Sequence, residues 1–417
     1  MRIAVVGTGI AGLVAARLAH AEHEVTVFEA GSWIGGHAHA VDVDSSVGTL
    51  PVDTGFLVYN REGYPEFTRL LAELEVPTQE SDMSFSVRCD ASGLEYNGSS
   101  VNALFAQRSN LFRPSFYRMV GDILRFYREA QGLSEIDGPG PSLGDYLAAG
   151  GYSQAFIDQH LLPMGAAIWS APLDSMREFP VKYFVRFFQQ HGMMQVRDRP
   201  QWRTITGGSG EYVRRLVQPF RDRIRLSSPV LQVSRHRDRV ELTTAGAGTE
   251  DFDEVFLALH ADQALSILAD PTATERELLS AMPYQENDVV LHRDERLLPR
   301  RRLAHASWNY HLVDRETGRA AVTYYLNRLQ GLPVPEPYLV TLNRSEAIRE
   351  ERILQRFTYH HPSYTAAGFA ARRRHHEISG RTRTHFCGAY WGYGFHEDGV
   401  VSAQRAWERF QERRRDG

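Results

Sequence analysis

The residues of this 417-residue chain best suited to chemistry lie at its two ends. Near the start, Gly7-Thr8-Gly9-Ile10-Ala11-Gly12 is a G-x-G-x-x-G, and Glu29 follows at the spacing of a ribose-binding acid. Gly7 permits a tight turn, Gly9 lets a pyrophosphate approach the backbone, and Gly12 lets a helix pack closely on a strand. Glu29 is placed to accept hydrogen bonds from ribose hydroxyls, and it disfavours a 2′-phosphate. The chemistry indicated is dinucleotide binding without NADP. At the other end, Phe386 to Val400 is a glycine- and aromatic-rich segment, Phe-Cys-Gly-Ala-Tyr-Trp-Gly-Tyr-Gly-Phe-His-Glu-Asp-Gly-Val.

The fingerprint needs a β-α-β frame, and the sequence provides one. Ile3–Val6 is a short apolar run, Leu13 to Ala21 is rich in Ala and Leu, and Val25–Phe28 reads as a second strand ending at Glu29. The helix start then turns free N–H groups and a positive dipole end toward the phosphates. Further along, 229–234 and 239–243 alternate as a hairpin would, and 252–259 reads as a buried strand. Residues 100–200 read as mainly helical, with Phe116, Met119, Val120, Ile123 and Tyr127 at helical spacing and a capping box at Ser142–Asp145. Strands are predicted at 289–292, 307–313 and 320–327.

Composition narrows the class. A formal net charge of −4 disfavours nucleic acid as a partner. Cys89 and Cys387 form neither a disulfide framework nor a metal-ligand spacing. The close pairs His37/His39, His360/His361 and His375/His376 lack zinc spacing, so no metal site is expected. The opening residues lack a secretory apolar stretch and no window is long enough for a membrane span, so a cytoplasmic protein is expected, with peripheral membrane contact left open. Tyr183–Phe188, Met193 and Met194, with Ile168 and Trp169, form an aromatic and methionine cluster that reads either as helix core or as a groove wall for an apolar substrate.

Three segments carry a resemblance. Gly35-Gly36 after Glu29, Val52-Asp53-Thr54-Gly55-Phe56, and Phe386–Val400 resemble the two-dinucleotide-binding-motif flavoproteins, among them amine oxidases, protoporphyrinogen oxidases and phytoene desaturases. The resemblance implies FAD, with Gly7, Gly9, Gly12, Glu29, Gly35, Gly36, His37, Thr54, Gly55, Val230, Gly394, Glu397, Gly399 and Val400 as its binding residues. It implies an α/β Rossmann-like FAD-binding domain (1–60, 202–265 and 384–417) interleaved with a mixed α+β substrate domain (61–201 and 266–383). A final helix from about Gly399 to Arg413 would point at the flavin. Trp391, Tyr393, Phe395 and His37 are the flavin-facing candidates for catalysis.

A narrower resemblance rests on Gly35-Gly36-His37-Ala38-His39, Asp53 to Asn60 and Ser81 to Ser86. These are similar to a group of bacterial FAD proteins and to the N-terminal flavoprotein domain of plant cyclopropane fatty acid synthases. That similarity implies an apolar, modified acyl chain as substrate and a cyclopropane or methyl fatty acid synthase-type partner. Two departures from amine oxidases stand out. His37 occupies the place of an arginine, and the single lysine, Lys182, leaves none for the later substrate block. The expected activity is hydride removal from carbon of an acyl chain. Amine oxidation, or a non-catalytic or redox-neutral role in lipid modification, is the alternative. The base stays open among His37, His311, Tyr324 and Tyr325.

Overall fold

Ile3, Ala4, Val5 and Val6 are apolar and buried, as a strand covered on both faces must be. They belong to a strand, Arg2–Val6, at the centre of a parallel sheet. In spatial order the sheet runs Ile224–Arg225, Glu24–Phe28, Arg2–Val6, Glu254–Leu257 and Thr384–Phe386. The computed structural model describes residues 1–313 and 321–416. Ala320, the expected start of one strand, and Gly417, the expected domain end, lie outside the described residues.

One sheet face carries the helix Ile10–His20, whose buried Ala11, Ala15, Ala16 and Ala19 allow close approach to the strands. Beside it lies the C-terminal helix His396–Asp416, which buries Val400, Ala403, Ala406, Trp407 and Phe410 in the same cluster. The other face is covered by an antiparallel sheet of Val230–Arg235, Val240–Thr244 and Gly248–Phe252. Each large aliphatic or aromatic side chain buried this way contributes roughly 1.5–3 kcal/mol. The expected strand over 252–259 is therefore two elements. The break falls at Asp253, whose carboxylate accepts the Arg2 N–H and whose own N–H donates to the Arg2 carbonyl.

A second, seven-stranded sheet faces the first unit. Its order is Ile353–Pro362, Tyr284–His292, Leu339–Leu342, Ala321–Tyr325, Trp308–Leu312, Phe85–Cys89 and Leu94–Asn97. Only the pair Trp308–Leu312 and Phe85–Cys89 is parallel. The expected strand to residue 327 stops at Tyr325, because Leu326–Leu329 turns helical. Helices between Val101 and Gln190 pack on this sheet. Among them Pro114–Glu129 buries Phe116, Met119, Phe126 and Tyr127, and Leu143–Ala149 is capped by the Ser142 hydroxyl, which accepts the Asp145 N–H at 3.0 Å. Lys182 donates its ammonium to the Ile136 carbonyl.

Candidate active site

The glycines of the fingerprint do three different jobs. Gly7 has a φ of 103°, and a Cβ there would stand 2.5 Å from the Ala258 carbonyl oxygen. A Cβ on Gly12 would lie 1.9 Å from the Gly7 oxygen, so the helix can only pack here without a side chain. Gly9 is the N-cap of Ile10–His20, has no side-chain cap, and a Cβ on it would meet nothing within 4 Å. The helix N–H groups thus open onto empty space, an anion site by geometry. Glu29 ends the neighbouring strand. Its carboxylate accepts the N–H groups of Thr8 (3.0 Å) and Gly31 (2.7 Å) and the Thr8 hydroxyl. The chain leading into Val230 runs alongside, with Ser227 and Ser228 donating to the carbonyls of Gly31 and Glu29.

Gly35 and Gly36 fold back on this turn. A Cβ on Gly36 would lie 3.0 Å from Gly9 Cα, and both residues have positive φ. Gly55 passes so close to His37 that a Cβ would sit 2.3 Å from its carbonyl oxygen, which accepts the Phe56 N–H at 2.7 Å. Thr54 bonds the His39 carbonyl and the Tyr359 hydroxyl. The His37 ring lies 5.0 Å from Tyr359, 5.4 Å from His361 and 6.5 Å from His260. Burial, with His260, His360 and His39 adding to it, pushes its pKa down to about 4, and its Nε2 is sealed without a partner. In the place where an arginine would stand, His37 is therefore an uncharged imidazole until an anion comes beside it.

The C-terminal segment divides. Tyr393 and Phe395 face the substrate-side aromatics, with ring centroids 5.6 and 4.9 Å from Phe187. Trp391 is not with them. It packs edge-on to His375 at 4.5 Å, in the cluster beneath the parallel sheet. The helix begins at His396 and not at Gly399, because Asp398 accepts the Phe395 N–H at 3.0 Å and fixes the first turn there. Gly399 lies inside that turn and lets it cross the fingerprint helix, since a Cβ would stand 2.6 Å from Ile10 Cγ2. Val400 is buried behind it. Gly394, φ 86°, lies against the Tyr364 hydroxyl. The Glu397 carboxylate is occupied elsewhere: it accepts the N–H groups of Glu66 and Phe67 and caps the helix Pro65–Glu73. Any contact of Glu397 with the cofactor would therefore come from its backbone and not from this carboxylate.

A cavity of about 540 Å³ opens in the substrate side. Its walls include Met83, Phe85, Val120, Ile123, Met164 and Ile168. Its inner end holds His191 and Trp202, whose rings lie 6.1 Å apart, and His191 is 5.9 Å from Phe395. Of the aromatic and methionine cluster, Ile168 and Met193 line this cavity, whereas Phe184, Phe187 and Phe188 are buried core. His311 lies outside it, bonded to Asp90 (2.7 Å) and Arg344 (2.6 Å). Burial raises the hydroxyl pKa of Tyr324 and Tyr325, so neither is a ready base.

The description "Flavin containing amine oxidoreductase" matches residues 10–355, most of the chain. The chain belongs to this family. It is an FAD-dependent oxidoreductase, and its fold is that of the family's solved structures. Cyclohexylamine oxidase from Brevibacterium oxydans IH-35A is 16% identical with a TM-score of 0.70, and 99% of each chain is covered. Putrescine oxidase bound to putrescine is 14% identical at 0.68, again with 99% of each covered. The CLA-producing fatty acid isomerase from P. acnes is 15% identical at 0.67, with 98% of each covered.

The residues present fit FAD. The open space before Gly9 and the uncapped helix start make one turn where a pyrophosphate would be held, and His37, which follows Gly36 beside it, leaves a buried Nε2 without a partner. Glu29 would take the ribose and the Val230 backbone would border the adenine. Further along, Tyr364 and Arg372 leave buried polar atoms without partners. The Arg372 plane lies over Tyr364 and Phe369 and its Nε donates to the Tyr390 carbonyl at 2.7 Å. No three of the clustered histidines make a metal-holding group among the described residues.

The partners of Asp53, a motif residue, and the places of His191 and His160 are not legible in the sequence. Asp53 is buried and clasps the two units, accepting from the Ser209 N–H and hydroxyl and from the Gln330 amide. Its burial raises its pKa to about 7. His191 and His160 are the two histidines among the described residues lining the cavity. His191 stands four residues after Phe187, whose carbonyl can only accept, so Nδ1 is protonated and Nε2 carries the lone pair. The helical spacing of Phe187 and His191 was the only available signal.

Proposed function

We propose that the enzyme removes a hydride from carbon of an apolar, fatty acyl substrate that lies in the cavity between Leu124 and His191. The observation that carries this reading is the cavity itself. Its walls are mostly aliphatic, aromatic and methionine side chains, with a minority of polar ones, and its volume is in the range of small-molecule sites, about 300–1,000 Å³. Its inner end adjoins Phe395, the N-cap residue of the helix beside the fingerprint.

Bound FAD supplies a two-electron acceptor for the hydride. The chain's own residues orient the substrate and exclude water. Phe395 and Tyr393, backed by Phe187, would fix the reacting carbon, and the lining His160 and His191, whose pKa values burial pushes down, stay uncharged beside the chain. An ammonium substrate is disfavoured. Asp82, the one carboxylate among the described lining residues, is engaged by the Ser84 N–H and the Ser307 hydroxyl. A relative with the same fold is named a fatty acid isomerase, so a redox-neutral outcome on an acyl chain belongs to the same reading. A methyl or cyclopropane fatty acid synthase-type enzyme is the partner this reading implies.

The test is anaerobic bleaching of the flavin absorbance by methylated and cyclopropane acyl lipids, free fatty acids and amines. Acyl lipids are expected to bleach it fastest, and Ala167→Phe, which fills the cavity, is expected to slow that bleaching without releasing FAD. Faster reduction by any amine, or bleaching unaffected by Ala167→Phe, overturns the reading.

A further inference from the structure

The mouth of the cavity is marked by residues that both line it and face solvent. Leu124 is 51% exposed and Val196 is 62% exposed. Around Leu124 the surface stays apolar. Phe112 is 87% exposed, Val101 is 76% exposed, and Leu111 and Tyr117 are exposed as well. These residues form one patch. The Tyr117 hydroxyl donates to the Leu111 carbonyl, Phe105 lies 5.9 Å from Tyr117, and Arg108 ties the turn back to Asn102 and Phe105. A soluble surface rarely leaves a bare phenylalanine, two valines, two leucines and a tyrosine together around an opening.

The same surface is basic on an acidic protein. Residues 101–129 contain five arginines (108, 113, 118, 125 and 128) and two acids, against −4 for the whole chain. Asp122 is buried and accepts the Ser153 N–H, and Glu129 is paired with Arg125. Arg197 and Arg199 lie across the mouth beside Val196, with Asp198 between them. The helix Pro114–Glu129 has two working faces. Val120, Ile123 and Tyr127 turn into the cavity, while Tyr117, Arg118, Leu124 and Arg128 turn to solvent.

We infer that this surface docks on an anionic lipid bilayer, with Val101, Leu111, Phe112 and Tyr117 inserted at the headgroup level and the arginines on lipid phosphates. Apolar insertion beside a ring of arginines is the arrangement that makes interfacial binding both lipid- and charge-dependent. Docked this way, the mouth opens into the acyl layer, and an acyl chain passes from membrane to cavity without crossing water. That last step rests on the function proposed above; the docking itself does not.

The experiment is co-sedimentation of the FAD-loaded full chain with vesicles of phosphatidylcholine alone or with added phosphatidylglycerol, at low and high salt. Binding is expected only with phosphatidylglycerol and is expected to weaken as salt rises. Arg118→Gln with Arg128→Gln is expected to weaken it about 25-fold, from roughly fivefold per arginine near an anionic surface. Val101→Ser with Phe112→Ser is expected to weaken binding at both salt concentrations. Unchanged flavin spectra and melting temperatures establish that these exposed substitutions leave the fold intact. The inference is overturned if the native chain does not sediment with phosphatidylglycerol vesicles, or if both double variants bind as tightly as it does. It is also overturned if analytical centrifugation shows a dimer that Phe112→Ser dissolves, which would make the patch a contact between copies. Docking that persists while no acyl lipid bleaches the flavin would defeat the proposed substrate and leave the docking standing.

Discussion

Gly9 and Gly12 belong to one motif, yet substituting each by alanine is expected to fail in a different way. Gly9 has φ −62° and ψ 172°, extended backbone open to any residue, and a Cβ on it meets nothing within 4 Å. Gly9→Ala therefore changes the apoprotein by at most about 1 kcal/mol, the worth of an N-cap preference. Its methyl group occupies the space that the pyrophosphate needs. Overpacking costs about 1–3 kcal/mol and a weakened charge-assisted hydrogen bond costs a similar amount, so about 3 kcal/mol is expected, or roughly 100-fold in the FAD dissociation constant. Gly12→Ala places its Cβ 1.9 Å from the Gly7 oxygen and 3.1 Å from Ala258 Cβ. The helix or the turn must move, and the apoprotein itself loses stability. Melting of the deflavinated proteins, paired with fluorescence titration by FAD, separates the two. If apo Gly9→Ala melts as low as apo Gly12→Ala, or binds FAD as tightly as the native chain, the assignment of that empty space to the pyrophosphate is refuted.

Acid should destabilise the protein through its buried imidazoles, which outnumber the buried carboxyls of Asp53 and Asp398 that burial raises to about 7 and about 6 and that act in the opposite sense. Burial pushes His37, His191 and His260 down to about 4, and His160, His361 and His396 to about 3, from an unfolded value near 6.5. Between those limits the unfolded chain binds more protons than the folded one, so the stability present above pH ~6.5 drains away toward pH ~4, by up to about 1.4 kcal/mol per pH unit for each ring. A melting temperature that rises as pH falls from 7 to 5 would contradict this. Gly399→Val should drive the C-terminal helix off Ile10, costing about 1–3 kcal/mol and loosening FAD together; unchanged melting and flavin retention would show that the crossing tolerates a side chain.

The sequence could be read furthest where a constraint is local. The β-α-β unit at the N-terminus shows because glycine spacing and two apolar runs suffice to define it, and the structure uses each glycine within a few residues of its neighbours. The start of the last helix was misplaced by three residues because the signal is a side-chain bond, Asp398 to the Phe395 N–H, that competes with an equally plausible glycine boundary. The charge of His37 is not legible because it depends on burial and on His260 and His360, distant in sequence. The capping role of the Glu397 carboxylate is not legible because its partners, the N–H groups of Glu66 and Phe67, lie 331 and 330 positions away. The cavity could not be read at all. Its walls come from several separate segments, and no periodicity within one of them marks the empty space between them.

The central strand Arg2–Val6 is made long before its partner Glu254–Leu257, and the edge strand Thr384–Phe386 and the helix His396–Asp416 follow later still. A nascent chain therefore carries the phosphate-binding turn for most of its time on the ribosome without the elements that pack against it. Such sequence-distant pairing makes folding slow and leaves apolar strand edges exposed to association. Chains that stop short of Phe410 lack the side chains that close the face around Ile10–His20. Removing the helix His396–Asp416 should consequently loosen the cofactor turn and the N-terminal sheet together.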